Sequence, residues 1–403
     1  MKDVVDGTAV LPVSIIGGPS AASAARQLWH AGNQNARIGL LTPQVPGGPA
    51  ESDPRLFHLT TSSPAEISHQ IKTIAGHGGL DHLIVHCDEG QPIMAYASLF
   101  ALENENSSGA VRLSHAAMAI APTTVLDLLL PDRKGSSTQP VCFIVEQLEF
   151  AGSILLDPAA DDSEVSLARA VLGALNPRAT LPDLRGNGPS DMVTRISGET
   201  LDFAAVLDAA EWRRLIEEQA DPISYPHGVT AFAYHARKPF HPERLWRLLQ
   251  SDLRQIFRAK GFVWLATRMD LVGGLNLAGT ELQCGAAGEW WATRDQETRD
   301  REMSAGTRKH WQEPFGDRRQ AIALMTVDLE PAVVRAELDG CLLTDEEMVG
   351  GPAAWKRLAD PFPSWSAHHH HHDHDCGHDH ETGQHDHECD HDHGSGPHDC
   401  CRH

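Results

Sequence analysis

Short apolar runs alternate with amphipathic stretches through the first half of the chain. AVLPVSIIGG reads as a buried strand ending in glycines, and SAASAARQLWHAG as a helix closed by Gly32. ARIGLLT, LDHLIVHC, VCFIVEQ and AGSILLD read as further strands. Strands separated by helical stretches predict a mostly parallel sheet with helices on both faces. LPDLRGNGPSDM reads as a loop and EWRRLIEEQA as a helix that stops before Asp221-Pro222, where the first domain is expected to end. From His227 the pattern changes: GVTAFAYHA alternates as a half-buried strand, PERLWRLLQSDLRQIF is an amphipathic helix, and GFVWLAT is a strand. GEWWAT, the strand AIALMTVDL and a helix from Pro331 complete a smaller α+β domain ending near Trp365. The predicted organisation is therefore residues 1–222, residues 227–365, and a segment over 366–403.

Composition narrows the function classes. At 403 residues and 41% hydrophobic, the chain can bury two cores. Its formal charge is -22, of which His368 to His403 supply -8 (nine acids against Arg402), leaving -14 on the rest. No basic cluster stands out, so nucleic acid is not an expected partner. The start, MKDVVDGTAVLPVSIIGG, lacks the charged and apolar regions of a secretory leader. No uninterrupted apolar run approaches a membrane span, so no membrane association is expected. Cys87, Cys142, Cys284 and Cys341 are scattered singly, unlike a disulfide framework, and a reducing cytoplasm is the expected compartment.

The last 36 residues hold fourteen His, four Cys and nine Asp/Glu. The ligand-type side chains are His368, His369, His370, His371, His372, His374, Cys376, His378, His380, His385, His387, Cys389, His391, His393, His398, Cys400, Cys401 and His403. Neutral imidazole and thiolate are the preferred zinc ligands, with carboxylates as oxygen donors or acceptors for the distal ring N–H. Five consecutive histidines suggest a purification tag, but the pattern continues with Asp and Cys for another 31 residues. Eighteen such side chains suffice for roughly four four-coordinate ions. Flexible imidazole-rich tracts also accept Cu, Ni2+ and Co2+, and cellular abundance favours Zn2+. Lacking apolar residues other than cysteine, the tail is expected to be disordered without metal.

The motifs GVTAFAYHARKPFHPERLWRLL, FRAKGFVWLATR, GEWW, GDRRQ, LDGCLLTDEE and WKRLADPFPSW resemble the C-terminal domain of the CobW-like P-loop GTPases, a group of metallochaperones. The first domain resembles the family in its glycine turn after the first strand, FIVEQLEFAGSILL and LNPRA. The resemblance implies a P-loop-NTPase-like α/β domain, a CobW C-terminal-type α+β domain and a metal-carrying tail. The family's chemistry is not matched residue by residue. A P-loop, G-x-x-x-x-G-K-[ST], needs Lys for the phosphates and Ser/Thr for Mg2+. Here Gly17 and Gly18 form the vestigial turn, followed by Ala22, Ser23 and Ala24 at the later positions, with no lysine between Lys2 and Lys72. The family's N-K-x-D aligns with Asp157, Pro158, Ala159 and Ala160. Its Glu-x-Ser-Gly turn aligns with His86, Cys87, Asp88 and Glu89, and its C-x-C-C with His58, Leu59, Thr60 and Thr61.

The resulting expectation is a zinc-binding protein acting in storage, buffering or metallochaperone delivery, without GTP as cofactor and without a catalytic residue. Its expected partner is a metal-requiring client or an intact GTPase homologue. The alternative is a GTP-dependent zinc metallochaperone that hydrolyses GTP to transfer metal. A replacement metal site around His58, His82, His86, Cys87 and Asp88 competes with surface histidines and a packed cysteine. Cys284, Cys341 and the Trp290-Trp291 pair are expected to be packing residues.

Overall fold

The near-continuous apolar run LPVSIIG suits a strand covered on both faces. In the computed structural model it is β1 (Leu11–Gly17), an interior strand of a six-stranded sheet. The structure describes residues 4–365, apart from residues 6–7, 34–35, 44–52, 61–62, 88–89, 107–110, 131–136, 157–160, 183, 185–187, 199–200, 202–210, 219–220, 252 and 254. β2 (Ile38–Pro43), β3 (Leu56–Leu59), β4 (His82–His86), β5 (Val111–Ile120) and β6 (Ser153–Leu156) complete the sheet. Their order is β3-β2-β4-β1-β5-β6, with every pairing parallel. The order reverses around β1, which opens a crevice at its carboxyl end.

Alternation along each strand feeds two cores. Ile16, Ile38, Leu40 and Ile84 meet α1 (Ala21–Gly32) and α7 (Gly188–Gly198) on one face. Val13, Ile15, Leu83 and Val85 meet α2 (Pro64–His77), α3 (Ile93–Asn106), α5 (Val141–Phe150) and α6 (Asp162–Leu175) on the other, with α4 (Pro122–Leu129) beside them. α1 buries Ala21, Ala24, Ala25, Leu28 and Trp29, the helical spacing of one apolar face. The Trp29 indole also donates to Ile38 O at 2.8 Å, tying α1 to β2. Truncating the fully buried Leu28 to Ala would cost about 2–5 kcal/mol.

After α8 (Glu211–Glu218) comes an antiparallel sheet of β7 (Ile223–Ser224), β8 (Val229–Ala236), β9 (Ile256–Val263), β10 (Leu271–Ala278), β11 (Glu281–Glu289) and β12 (Gln320–Val327). The spatial order is β11-β10-β9-β12-β8-β7. Its two faces differ in side-chain size. Val229, Ala231, Ala233, Ala321 and Ala323 join the core of the first half, where small residues let the helices approach closely. Phe232, Tyr234, Ile322 and Leu324 pack against α9 (Pro242–Leu249) and α10 (Pro331–Cys341). Met1–Ala367 form one compact unit.

The parallel α/β layer followed by a smaller α+β layer matches the expected fold class. Several local expectations are corrected. VCFIVEQ is not a strand but the start of α5, and its apolar residues are buried by packing over the sheet face. A short apolar run cannot distinguish a strand from a buried helix. VRLSHAAMAI, whose apolar run Arg, Ser and His interrupt, is β5, an interior strand of the sheet. The helix expected over PERLWRLLQSDLRQIF stops at Leu249, and Ile256 already begins β9. The strand over GFVWLAT therefore starts earlier than its apolar run, and LVGGLNLA and ELQCGAAGE form an unforeseen pair, β10 and β11. Gly32 lies within α1 rather than beyond it. Asn33 is the cap, and a Cβ on Gly32 would collide with Ile38 Cδ1. The tail lies outside the described residues.

Candidate functional site

The turn from β1 into α1 sits at the switch-point crevice. Gly18 has φ 98°, and a Cβ there would meet Ala119 O at 2.7 Å, so glycine is required. Two amides of this turn are engaged by protein oxygens: Ser20 N donates to Ala119 O and Ala21 N to Gly18 O, each at 3.0 Å. Ser23, where a P-loop carries Lys, is exposed and accepts from Gln27 Nε2 at 3.1 Å, while Ala24 is buried. Beside Gly18 lies a cavity of about 250 Å³ with neutral polar walls that include Thr124, Thr138, Gln139 and Gln147. Gln147 is already used, its Oε1 accepting from Ile93 N at 3.0 Å. Among the described residues lining the cavity, none carries a charge. Asp157 to Ala160, the N-K-x-D position, lie outside the described residues.

The register of the parallel strands places His58, Thr42 and His86 at one level on β3, β2 and β4. Thr42 Oγ1 is 2.8 Å from His86 Nδ1. β2 separates the two histidine-bearing strands, holding their backbones roughly 10 Å apart, and His58 is exposed. His82 points into the same face as Ile84 but is deeply buried, its Nε2 2.9 Å from Ser14 Oγ. Burial pushes its pKa down to about 3, with Arg112 and His115 adding to the effect. Cys87 packs in the opposite core with Leu83 and Val85, and Asp88 lies outside the described residues. The topology thus does not gather this set into one coordination sphere. Among the described residues no group of three or more His, Cys, Asp or Glu is arranged to hold a metal ion.

The body cysteines Cys142, Cys284 and Cys341 are free thiols. Burial pushes Cys142 up to about 12 and Cys284 and Cys341 up to about 11, which keeps them protonated and poor as ligands. Cys284 and Cys341 pack in the second core and Trp290 in a smaller aromatic one. The tail ligands, His368 to His403, lie outside the described residues.

Sequence reasoning missed the polar contact between the two sheets' layers. A register shift in β9 between Ile256 and Arg258 puts Phe257 in the core of the first half with Arg258 beside it. Arg258 then reaches Glu149 on α5, Nε to Oε1 at 2.7 Å and Nη2 to Oε2 at 3.2 Å, both side chains almost fully buried. Lys260 reaches Glu146 at 2.8 Å, and Glu281 Oε2 accepts from Cys142 N at 3.1 Å, capping α5 from the second sheet. The EQLE and FRAK segments carry these charges, but their pairing spans more than a hundred residues and no local pattern encodes it.

Residues 229–342 match the family described as the cobalamin synthesis protein cobW C-terminal domain. The chain is similar to a zinc-regulated GTPase metalloprotein activator 1 of Dictyostelium discoideum, at 30% identity over 229 residues, 55% of this chain and 48% of that protein. It is also similar to a zinc chaperone of Mycobacterium tuberculosis, at 33% identity over 147 residues, 36% of this chain and 37% of that one. The chain thus spans about half, or less, of the length of these relatives. The Zn(II)-bound YjiA GTPase from E. coli aligns over 83% of this chain and 99% of its own, at 13% identity and a TM-score of 0.36. Over residues 229–342 the second domain is thus similar to the cobW C-terminal domain. Among the described residues no helix is long and apolar enough to cross a membrane.

Proposed function

We propose that this chain is a cytoplasmic metallochaperone-type protein that binds Zn2+ through its His/Cys-rich tail and buffers, stores or delivers it. The observation that carries the proposal is the concentration of eighteen His and Cys side chains between His368 and His403. The names of the two relatives, a zinc-regulated GTPase metalloprotein activator and a zinc chaperone, support the same reading. The folded body would dock a metal-requiring client or an intact GTPase homologue. Ligands must shed protons to bind metal, so loading falls at acid pH. Zinc analysis of the full chain against one ending at Ala367 tests the proposal, because only the tail reading predicts that most capacity disappears.

A GTP-driven transfer cycle is the second reading, favoured by the GTPase in the Dictyostelium relative's name. The engaged amides at Ser20 and Ala21 and the neutral cavity beside Gly18 count against it here. Phosphoryl transfer is catalysed by positioning and charge, and Ser23 and Ala24 supply neither the cation nor the Mg2+ ligand.

A further inference from the structure

A second cavity, of about 370 Å³, opens between α8 and residues 304–310. Its volume is in the range of small-ligand sites. Arg319, just before β12, lines it together with Lys309, His310, Arg213, Trp212 and Phe262. Glu217 is the sole carboxylate among the described lining residues, against three guanidinium or ammonium groups and an imidazole. In a chain of formal charge -22 this local excess of cations runs against composition.

Further basic side chains lie behind the cavity wall. His235 on β8 pairs in register with Ala321, two residues from Arg319, and Arg237 Nη1 donates to His310 O at 2.7 Å. Burial, then Arg319, His310, Arg237 and Arg335, push the His235 pKa down to about 4. His310 is lowered by burial and by the same arginines, Arg319 and Arg237. Asp317, the nearby acid, spends its two oxygens on Trp291 N and Ala292 N at 3.0 and 2.9 Å. Two buried nitrogens, Arg319 Nε and His235 Nε2, have no hydrogen-bond partner among the described residues. Buried donors are almost always satisfied, so the unpartnered Arg319 Nε beside a cation-lined cavity points to a missing acceptor.

We propose that this cavity binds a phosphate-bearing small molecule, held through its phosphate by Arg319, Lys309 and His310. Planar guanidinium groups suit phosphate oxygens, and Lys adds a point charge. Trp212 and Phe262, edge to face at 6.2 Å, supply an apolar wall for an organic body. The residues of this site are distinct from those of the tail and of the turn at Gly18, so it stands or falls independently of the metal-binding reading.

The test is calorimetric titration of the metal-free full chain with inorganic phosphate and, in a second arm, adenosine monophosphate. Lys309→Ala and Arg319→Gln are compared with Thr138→Ala, a control at the neutral cavity beside Gly18. Expected is saturable binding that each of the first two weakens about tenfold or more and the control leaves unchanged. Tighter binding of the nucleotide assigns an organic phosphate, and equal affinities assign the free ion. Lys309 is exposed, so its variant keeps the test decisive if Arg319→Gln fails to fold. An absence of saturable heat in both arms, or binding that survives Lys309→Ala, overturns the proposal. Zinc capacity, measured on the same variants, is expected to be unchanged.

Discussion

Arg258 on β9 and Glu149 on α5 form a two-pronged ion pair across the contact between the antiparallel sheet and the helices of the first half, with both side chains almost fully buried. Arg258 Nη1 also donates to Asn276 Oδ1 at 2.6 Å and Leu277 O at 3.0 Å, so its hydrogen-bonding capacity is well used where water is excluded. The pair fixes how β9 sits on α5 more than it adds net stability, because desolvating two charges offsets much of their attraction.

Removing one partner leaves the other charge buried and unpaired. Glu149→Leu and Arg258→Met are each expected to lower unfolding stability by about 3–5 kcal/mol, read from denaturant midpoints. The double variant Glu149→Leu/Arg258→Met is expected to lose less than the sum of the singles. Additive losses would show that the two side chains do not act as a pair.

His82 ties acid sensitivity to the core of the parallel sheet. Its folded pKa, about 3, lies below its ordinary value of 6.5, so the native state takes up a proton less readily than the unfolded chain. The stability this gives is fully present above pH 6.5 and is lost as pH falls toward 3. His235, lowered to about 4, contributes in the same direction over a narrower window. The melting temperature of the metal-free full chain should therefore drop between pH 7 and pH 4. In His82→Gln that drop should shrink, and an unaltered drop would remove His82 from the account.

Much of the architecture was legible because it rests on local periodicity. LPVSIIG, HLIVH and AIALMTV announce strands, and the α1 stripe of Ala21, Ala24, Ala25, Leu28 and Trp29 announces a helix. VRLSHAAMAI was hidden because its polar residues are satisfied inside the sheet rather than by water. Ser114 Oγ donates to Val13 O at 2.9 Å, and His115 Nε2 lies 2.8 Å from Ser153 Oγ. The alternating β10 and β11 were hidden by their glycines, as in LVGGLNLA, which weaken any strand signal. At the candidate site, the departures at Ser23 and Ala24 could be read directly. That Ser20 N is already bonded depends on the position of Ala119, about a hundred residues away.

GTP hydrolysis is expected to be absent at a useful rate. Losing a single preorganised charge contact costs about a hundredfold or more in rate, and this chain lacks both the phosphate-binding Lys at Ser23 and the Mg2+ ligand at Ala24. A phosphate-release assay on zinc-loaded and zinc-free protein checks this. Guanine-selective, Mg2+-dependent micromolar binding with turnover would restore the GTP-driven reading.

Metal stoichiometry tests the central claim most directly. The full chain, purified without an affinity tag and equilibrated with Zn2+, is analysed for bound zinc beside a chain ending at Ala367. Several ions per full-length chain are expected, roughly four if His and Cys alone fill four-coordinate sites. Cys376, Cys389, Cys400 and Cys401 should resist thiol reagents when loaded, since a metal-bound thiolate is occupied. The shortened chain should lose most of this capacity. Equal zinc content in the two chains would place the principal site in the folded body and contradict the account.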